Sequence, residues 1–351
     1  MFETFFSFDT GPVVKFEIQP ILLMKVLITG SSGFIGAAVT RAVVAKGDEV
    51  RVLVRPTSNR SNLDGLPVET VEGDLQDSKS LKKALTGCQG VYHVAAHYAL
   101  WAQDPTTFYK VNVEGTKHLF RAAEETGVER IVYTSTIGAI GLPDDGGLGR
   151  EELFPSDSQL SGDYKRSKFL AEQEVLKMAQ QGLPVVIVNP TAPVGERDVK
   201  PTPTGQIIVD FMKGRMFAYI ETGMNLIDVN DVAMGHVRAM ERGRIGERYI
   251  LGNQNLMFRE VCQMLSQFTG VPTPRVRLPW KLIVPLAYVN TWIANLVTHK
   301  PPRIPLEGVR MAKYRMHYDC TKARTELDLP QNSVETALKK AVQWFRQYGY
   351  A

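Results

Sequence analysis

With 351 residues, 44% of them apolar and 22% charged, the chain is larger than the usual single domain and has a normal globular balance. Forty-one basic against 37 acidic residues leave a net charge of +4, too small to imply nucleic-acid binding. Cys88, Cys262 and Cys320 are odd in number, far apart and without a CxxC pair, which excludes a disulfide framework, gives no metal-ligand cluster and fits a reducing, cytoplasmic compartment.

Residues 1–23 hold Glu3, Asp9 and Glu17 and lack a basic start followed by an apolar core, so they are not expected to be a signal peptide. They read as an N-terminal extension, with Met24 as the natural start just before a strand. Lys25–Thr29 is a short apolar run of the kind buried on both faces of a sheet. Phe34–Lys46 carries Ile35, Val39 and Val43 at helical spacing, and Gly47 supplies the stop. Strands are expected at Glu49–Val54, 68–72, 91–94, Arg130–Thr134 and 184–189, and helices at Ser78–Leu85, 107–125 and 164–180. This alternation predicts an α/β fold: a Rossmann-type, doubly wound parallel sheet covered by helices on both faces. After Pro190 the rhythm weakens, and prolines at 193, 201, 203, 272, 274, 279 and 285 suggest loops and short helices. The sheet is expected to return once, near 247–251. The dinucleotide-binding domain is therefore placed at 24–190, and a smaller, mostly C-terminal substrate lobe at 191–246 and 252–351.

Thr29-Gly30-Ser31-Ser32-Gly33-Phe34-Ile35-Gly36 spaces its glycines three apart between a strand and a helix. In that context the first glycine permits the turn, the second lets the backbone approach a pyrophosphate, and the third brings helix to sheet. The helix start adds N–H donors and a positive dipole end. Nineteen residues beyond Gly36, the second strand ends at Arg55. An acid there would bond the ribose 2′-hydroxyl of NAD, whereas an arginine can pair with the 2′-phosphate of NADP. NADP is therefore favoured over NAD, with Arg60 a candidate helper. Asp74 and Leu75 follow the third strand, where a carboxylate can accept from the adenine amino group.

About 130 residues beyond the glycine loop, Tyr164-Lys165-Arg166-Ser167-Lys168 sets a phenol and an ammonium four apart on one helix face. A phenol near pKa 10 is a poor base at neutral pH, and bringing it to about 7 takes roughly 4 kcal/mol of differential stabilisation. A nearby ammonium and an oxidised nicotinamide can supply that.

With these motifs the chain resembles the extended short-chain dehydrogenase/reductase family from residue 24 to about 350. Val94-Ala95-Ala96, Asn112-Val113-Glu114-Gly115-Thr116, Tyr133-Thr134-Ser135-Thr136 and Asn189-Pro190-Thr191 carry the likeness further. The resemblance implies that Thr136, or Ser135 in its stead, bonds the substrate oxygen alongside Tyr164. It implies that Lys168 binds the nicotinamide ribose and lowers the tyrosine pKa, and that Asn112 steadies the sheet's edge. Ala95, Ala96, Thr134 and the backbone after Pro190 would also border the coenzyme. His97, Tyr98, Trp101 and Thr191 are candidate substrate contacts.

Two narrower likenesses compete. Asn189–Gly195 and the Tyr164–Glu172 segment are similar to dihydroflavonol reductases, which implies reduction of a ketone or aldehyde. Leu100-Trp101-Ala102, 200–205 and 246–252 are similar to hopanoid-associated sugar epimerases, which implies oxidation, turnover and re-reduction of a sugar in a triterpenoid-making bacterium. Arg55 tilts the balance to the reductase. A non-catalytic dinucleotide sensor, the reading from another class, would be expected to lose Tyr164 or Lys168.

Segment 282–297, broken by Pro285 and Asn290, is too short to span a membrane and reads as a helix lining a substrate pocket, with a membrane-surface element as the alternative. The basic run Lys300, Arg303, Arg310, Lys313 and Arg315 against Glu307 reads as a solvated face, with a docking site for phosphate or an anionic lipid surface as its functional alternative. His93 is expected in the core, and Asp228 and Asp231 are expected to cap a helix starting near Val232. Peripheral membrane contact and a monomer or homodimer remain compatible with the chain.

Overall fold

The structure, a computed structural model, describes residues 23–351, so the expectation about residues 1–22 lies outside the described residues. The first half alternates as follows: β1 (Lys25–Thr29), α1 (Phe34–Lys46), β2 (Glu49–Val54), β3 (Glu69–Glu72), α2 (Ser78–Leu85), β4 (Gly90–His93), α3 (Thr106–Tyr109), α4 (Gly115–Glu125), β5 (Arg130–Thr134), α5 (Asp163–Gln180) and β6 (Val185–Pro190). Between α3 and α4 the expected single helix widens into a π-turn at Lys110–Glu114, a distortion frequent at functional sites.

Beyond β6 follow β7 (Ala192–Val194), α6 (Pro203–Met212), β8 (Ala218–Tyr219), β9 (Gly223–Asp228), α7 (Val229–Arg242), β10 (Arg248–Leu251), β11 (Gln254–Met257), α8 (Phe258–Thr269), β12 (Val276–Arg277) and α9 (Trp280–Ile293). The chain ends with α10 (Leu306–Met311), α11 (Thr321–Glu326) and α12 (Val334–Gln347). This region is more regular than the prolines suggested: α7, α8, α9 and α12 run 14, 12, 14 and 14 residues. Most of the prolines sit outside the helices or at their first turns, where the missing N–H costs nothing.

Seven strands form one parallel sheet in the order β10-β6-β5-β4-β1-β2-β3. The strand order reverses between β1 and β4, which opens a crevice at their C-terminal ends, the usual ligand position in such sheets. One face packs α1 and α7 through Val39, Val43, Val232 and Val237; the other packs α2, α4 and α5 through Leu81, Phe120, Ala171 and Val175. A second sheet, β11-β9-β7, builds its own core with α6, α8 and α12.

Two histidines lie inside the main core. His93 Nε2 meets Thr116 Oγ1 at 3.0 Å and Nδ1 meets Thr29 Oγ1 at 2.7 Å. Thr116 gives its proton to the Asn112 carbonyl, so Nε2 is the donor and Nδ1 the acceptor. His236 spans Thr134 Oγ1 at 2.8 Å and the Val232 carbonyl at 2.7 Å. Burial holds both rings neutral and lowers their pKa, to about 3 for His93 and about 4 for His236. The unfolded chain therefore takes up protons first as pH falls, and stability declines from about 6.5 downward. At pH 5 each ring costs on the order of 2 kcal/mol. The carboxyls of Glu307 and Asp198, raised by burial to about 7 and about 6, act in the opposite sense over this range. The test is therefore a difference: from pH 7 to 5 the urea midpoint of the wild type is expected to drop relative to that of His236→Gln, and identical slopes in both proteins would contradict this.

Candidate active site

The glycine loop caps α1 at the crevice. Gly30 adopts φ +72°, and a Cβ there would lie 2.6 Å from the Ala95 amide nitrogen; at Gly36 a Cβ would lie 2.0 Å from the Gly30 carbonyl. Both positions therefore require glycine. No side chain caps Gly33, and the first turn of α1 holds no acid, so its N–H groups stay free for an anion. Those features fit a dinucleotide pyrophosphate. Ser32, Phe34 and Ile35 lie within the same loop and first turn. Asn62, missed in the sequence, donates through Nδ2 to the carbonyls of Ser32 at 3.3 Å and Arg197 at 3.2 Å. It thereby laces the loop to the segment after β7, where Arg197 takes φ +71°.

Arg55 is exposed at the end of β2, and its turn is closed by the Arg55 N–H donating to Ser58 Oγ at 3.2 Å. Among the described residues no carboxylate pairs with its guanidinium, whereas Arg60 is held by Glu72 at 2.6 Å. Asp74 accepts from the Gln76 N–H at 2.9 Å, and Leu75 is buried under Gly115. Ala95 and Ala96 follow β4 beside the loop, and Pro190 ends β6 opposite Leu251.

Tyr164 and Lys168 stand one turn apart near the start of α5. Lys168 is buried, and its ammonium donates to Tyr133 Oη at 2.9 Å and to the Thr134 carbonyl at 2.8 Å. Burial lowers it to about 7, with the Glu172 carboxylate pulling upward. Tyr164 is pushed up to about 12 by burial, against the opposing pull of the Thr136 hydroxyl. The lowering expected of this phenol depends on an oxidised nicotinamide beside it as well as on the Lys168 ammonium. With Lys168 donating to Tyr133 and Thr134, desolvation dominates, and the phenol keeps its proton at neutral pH. Thr136 accepts from the Gly138 N–H at 3.1 Å, which leaves its own proton for a partner in the cleft. Ser135 Oγ is buried without a partner.

Asn112, in the π-turn, ties the region together. It accepts from the His97 N–H at 2.7 Å and donates to the His97 carbonyl at 3.2 Å and to Ser167 Oγ at 3.0 Å, next to Lys168. The His97 ring packs edge-on against Phe108 at 4.7 Å, and Tyr98 lies against Tyr164 with ring centroids 4.7 Å apart. Trp101 Nε1 donates to Asn295 Oδ1 at 2.7 Å across a cleft of about 420 Å³ that reaches Gly162 and Asp163 at the start of α5. Thr191 is buried, with its hydroxyl donating to the Leu251 carbonyl at 3.3 Å.

Behind these residues lies a polar cluster that the sequence reading passed over. Glu172 pairs with Arg248 at 2.9 Å and accepts from Asn189 Nδ2 at 2.7 Å; Asn189 also donates to the Thr136 carbonyl at 3.0 Å. Glu172 continues the Tyr164, Lys168 stripe by one more turn, and an acid on the inward face of a helix was the available signal.

The asparagine–proline strand end, the glycine loop and the tyrosine–lysine helix occupy the crevice of one parallel sheet. Residues 26–252 match the model of the NAD dependent epimerase/dehydratase family, and the chain belongs to that family. It is an NAD(P)-dependent enzyme of the oxidoreductase and epimerase type. A Synechocystis protein provisionally named dihydroflavonol 4-reductase is 45% identical over 92% of this chain and 95% of its own length. Sterol demethylase protein B of Methylococcus capsulatus is 35% identical over 93% and 99%. The solved structure of a nucleoside-diphosphate-sugar epimerase from Pseudomonas aeruginosa superposes with a TM-score of 0.78 at 29% identity, covering 93% of this chain and 99% of that one.

Proposed function

We propose that the chain is an NADP(H)-dependent reductase that converts an apolar ketone or aldehyde to the alcohol. The carrying observation is geometric: Tyr164 stands one helical turn from the buried Lys168 at the start of α5, with Thr136 just past the end of β5 beside it, at the mouth of the dinucleotide crevice. In this reading residues 24–190, with strand Arg248–Leu251, hold the coenzyme, and 191–246 with 252–351 enclose the substrate. Gly30 to Gly36 would hold the pyrophosphate, Asp74, Leu75, Ala95 and Ala96 the adenosine, and Thr134, Lys168 and Pro190 the nicotinamide half.

Bound NADPH supplies the hydride that reduces the carbonyl carbon. Thr136 and Tyr164 bind the carbonyl oxygen between their hydroxyls, and Tyr164 gives its proton to that oxygen. The phenolate left behind is stabilised by Lys168 in its charged form, which is more populated below about pH 7. Asn112 keeps α5 and the His97 backbone in register. His97, Tyr98, Trp101 and Ser135 are the proposed substrate contacts, with buried Thr191 shaping the wall.

The likeness to sterol demethylase protein B and the apolar α9 favour a greasy substrate over a nucleotide sugar, and are compatible with a triterpenoid-lipid setting. The likeness to a nucleoside-diphosphate-sugar epimerase supports the second reading, an epimerase that retains NAD. Coenzyme binding separates the two. Arg55→Ala is expected to weaken NADPH roughly 10–100-fold, the worth of a charge-assisted phosphate contact, and to leave NADH unchanged. Equal affinity of the wild type for both coenzymes, or NAD retained through purification, would favour the epimerase.

A further inference from the structure

Helix α9 and the π-turn after it carry apolar residues that the fold does not cover. Leu282, Leu286, Val289, Trp292, Leu296 and Val297 are each more than half exposed. They form a stripe at helical spacing, while the inward side is built on the small Ala287 and Ala294. Toward the cleft beside Trp101 this helix contributes the polar Thr291 and Asn295 and none of the six exposed apolar side chains. A continuous patch of that kind marks a contact surface.

Charge identifies the partner. No acid occurs between Glu260 and Glu307, and Glu307 is turned inward, accepting the Asp163 N–H at 3.1 Å. Arg277 and Lys281 flank the start of the stripe and Lys300 and Arg303 its end, all exposed. No helix of the described residues is long and apolar enough to cross a membrane. An apolar face with Trp292 on it and cations at both ends suits the boundary of an anionic bilayer, where the side chains enter the acyl region and the cations meet phosphate. The same helix also walls the cleft that leads to the start of α5.

We propose that the outer face of α9 docks on the surface of an anionic phospholipid bilayer. Given the reductase reading above, an apolar substrate would then reach the cleft from the lipid. The test is co-sedimentation of the full chain with vesicles of phosphatidylcholine, with and without phosphatidylglycerol. Binding is expected with phosphatidylglycerol and roughly tenfold or more weaker without it. Leu286→Glu/Val289→Glu is expected to abolish sedimentation, and Lys281→Glu/Lys300→Glu to remove the preference for phosphatidylglycerol. Both variants should keep wild-type circular dichroism and coenzyme binding, because these side chains lie outside the crevice. Failure to sediment with either vesicle, or sedimentation indifferent to both variants, would overturn the proposal. So would a wild-type dimer that Leu286→Glu/Val289→Glu splits while vesicles go unbound, since a second copy would then cover the face. Sedimentation reads lipid contact without turnover, so its outcome is independent of the reductase reading.

Discussion

Tyr164→Phe is expected to lower turnover by roughly 10²–10⁴-fold, the usual worth of a positioned general acid, while the protein folds and binds coenzyme as before. The substitution removes only the hydroxyl. The ring keeps its contact with Tyr98 at 4.7 Å, and Lys168 keeps its bonds to Tyr133 and Thr134. Steady-state rates beside a coenzyme titration make the check. A variant that retains turnover within a few-fold of wild type would remove Tyr164 from the chemistry. Loss of coenzyme binding in step with turnover would give it a structural role instead.

Glu172→Ala is expected to destabilise the fold by about 3–5 kcal/mol, the cost of leaving a buried charge without its partner. Arg248 is buried in β10, and its Nη1 lies 2.9 Å from Glu172. Its other acceptors are the neutral carbonyls of Ala139 at 3.3 Å and Leu153 at 3.2 Å. Asn189 would lose its carboxylate acceptor in the same step and hold the Thr136 carbonyl less firmly. A loss of that size is a large share of the stability of a natural domain. Urea unfolding of Glu172→Ala, Arg248→Met and the double variant measures it. The double variant should recover part of the loss, because no buried charge is left unpaired. Single variants within 1 kcal/mol of wild type, in order of magnitude, would mean that water or rearranged neighbours satisfy the charge.

The dinucleotide half was legible because its inner strands β1, β4, β5 and β6 are buried on both faces and read as short, mostly apolar runs, while the exposed edge strand β3 was marked by its place in the alternation. Lys25–Thr29 and Arg130–Thr134 fall where the runs lie, and the third strand starts at Glu69, one residue later than expected. The loop from Gly30 to Gly36 was legible for a steric reason, since two of its positions leave no room for a Cβ.

The second half was hidden because its sheet joins distant short strands. β7 has three residues and pairs parallel with β9, which pairs antiparallel with β11. Periodicity over three or four residues carries little information. Asp228 caps α7 through the Asn230 N–H at 2.8 Å, so the helix begins at Val229, three residues before the expected Val232. Asp231 turns instead to Asn332, accepting its N–H at 2.7 Å. Likewise nothing local in the sequence pairs Arg248 with Glu172, which lies 76 residues away. In segment 282–297 the helix and its apolar character were legible from its residues. Which side stays uncovered is set by the neighbours α9 finds, not by its own residues.

The most direct test is a crystal structure of the chain with NADPH and a ketone analogue. The account predicts the pyrophosphate over Gly33, the 2′-phosphate against Arg55, and the analogue's oxygen within hydrogen-bond reach of both Tyr164 and Thr136. A complex in which the Tyr164 hydroxyl faces away from the nicotinamide, or in which another side chain holds that oxygen, would contradict it.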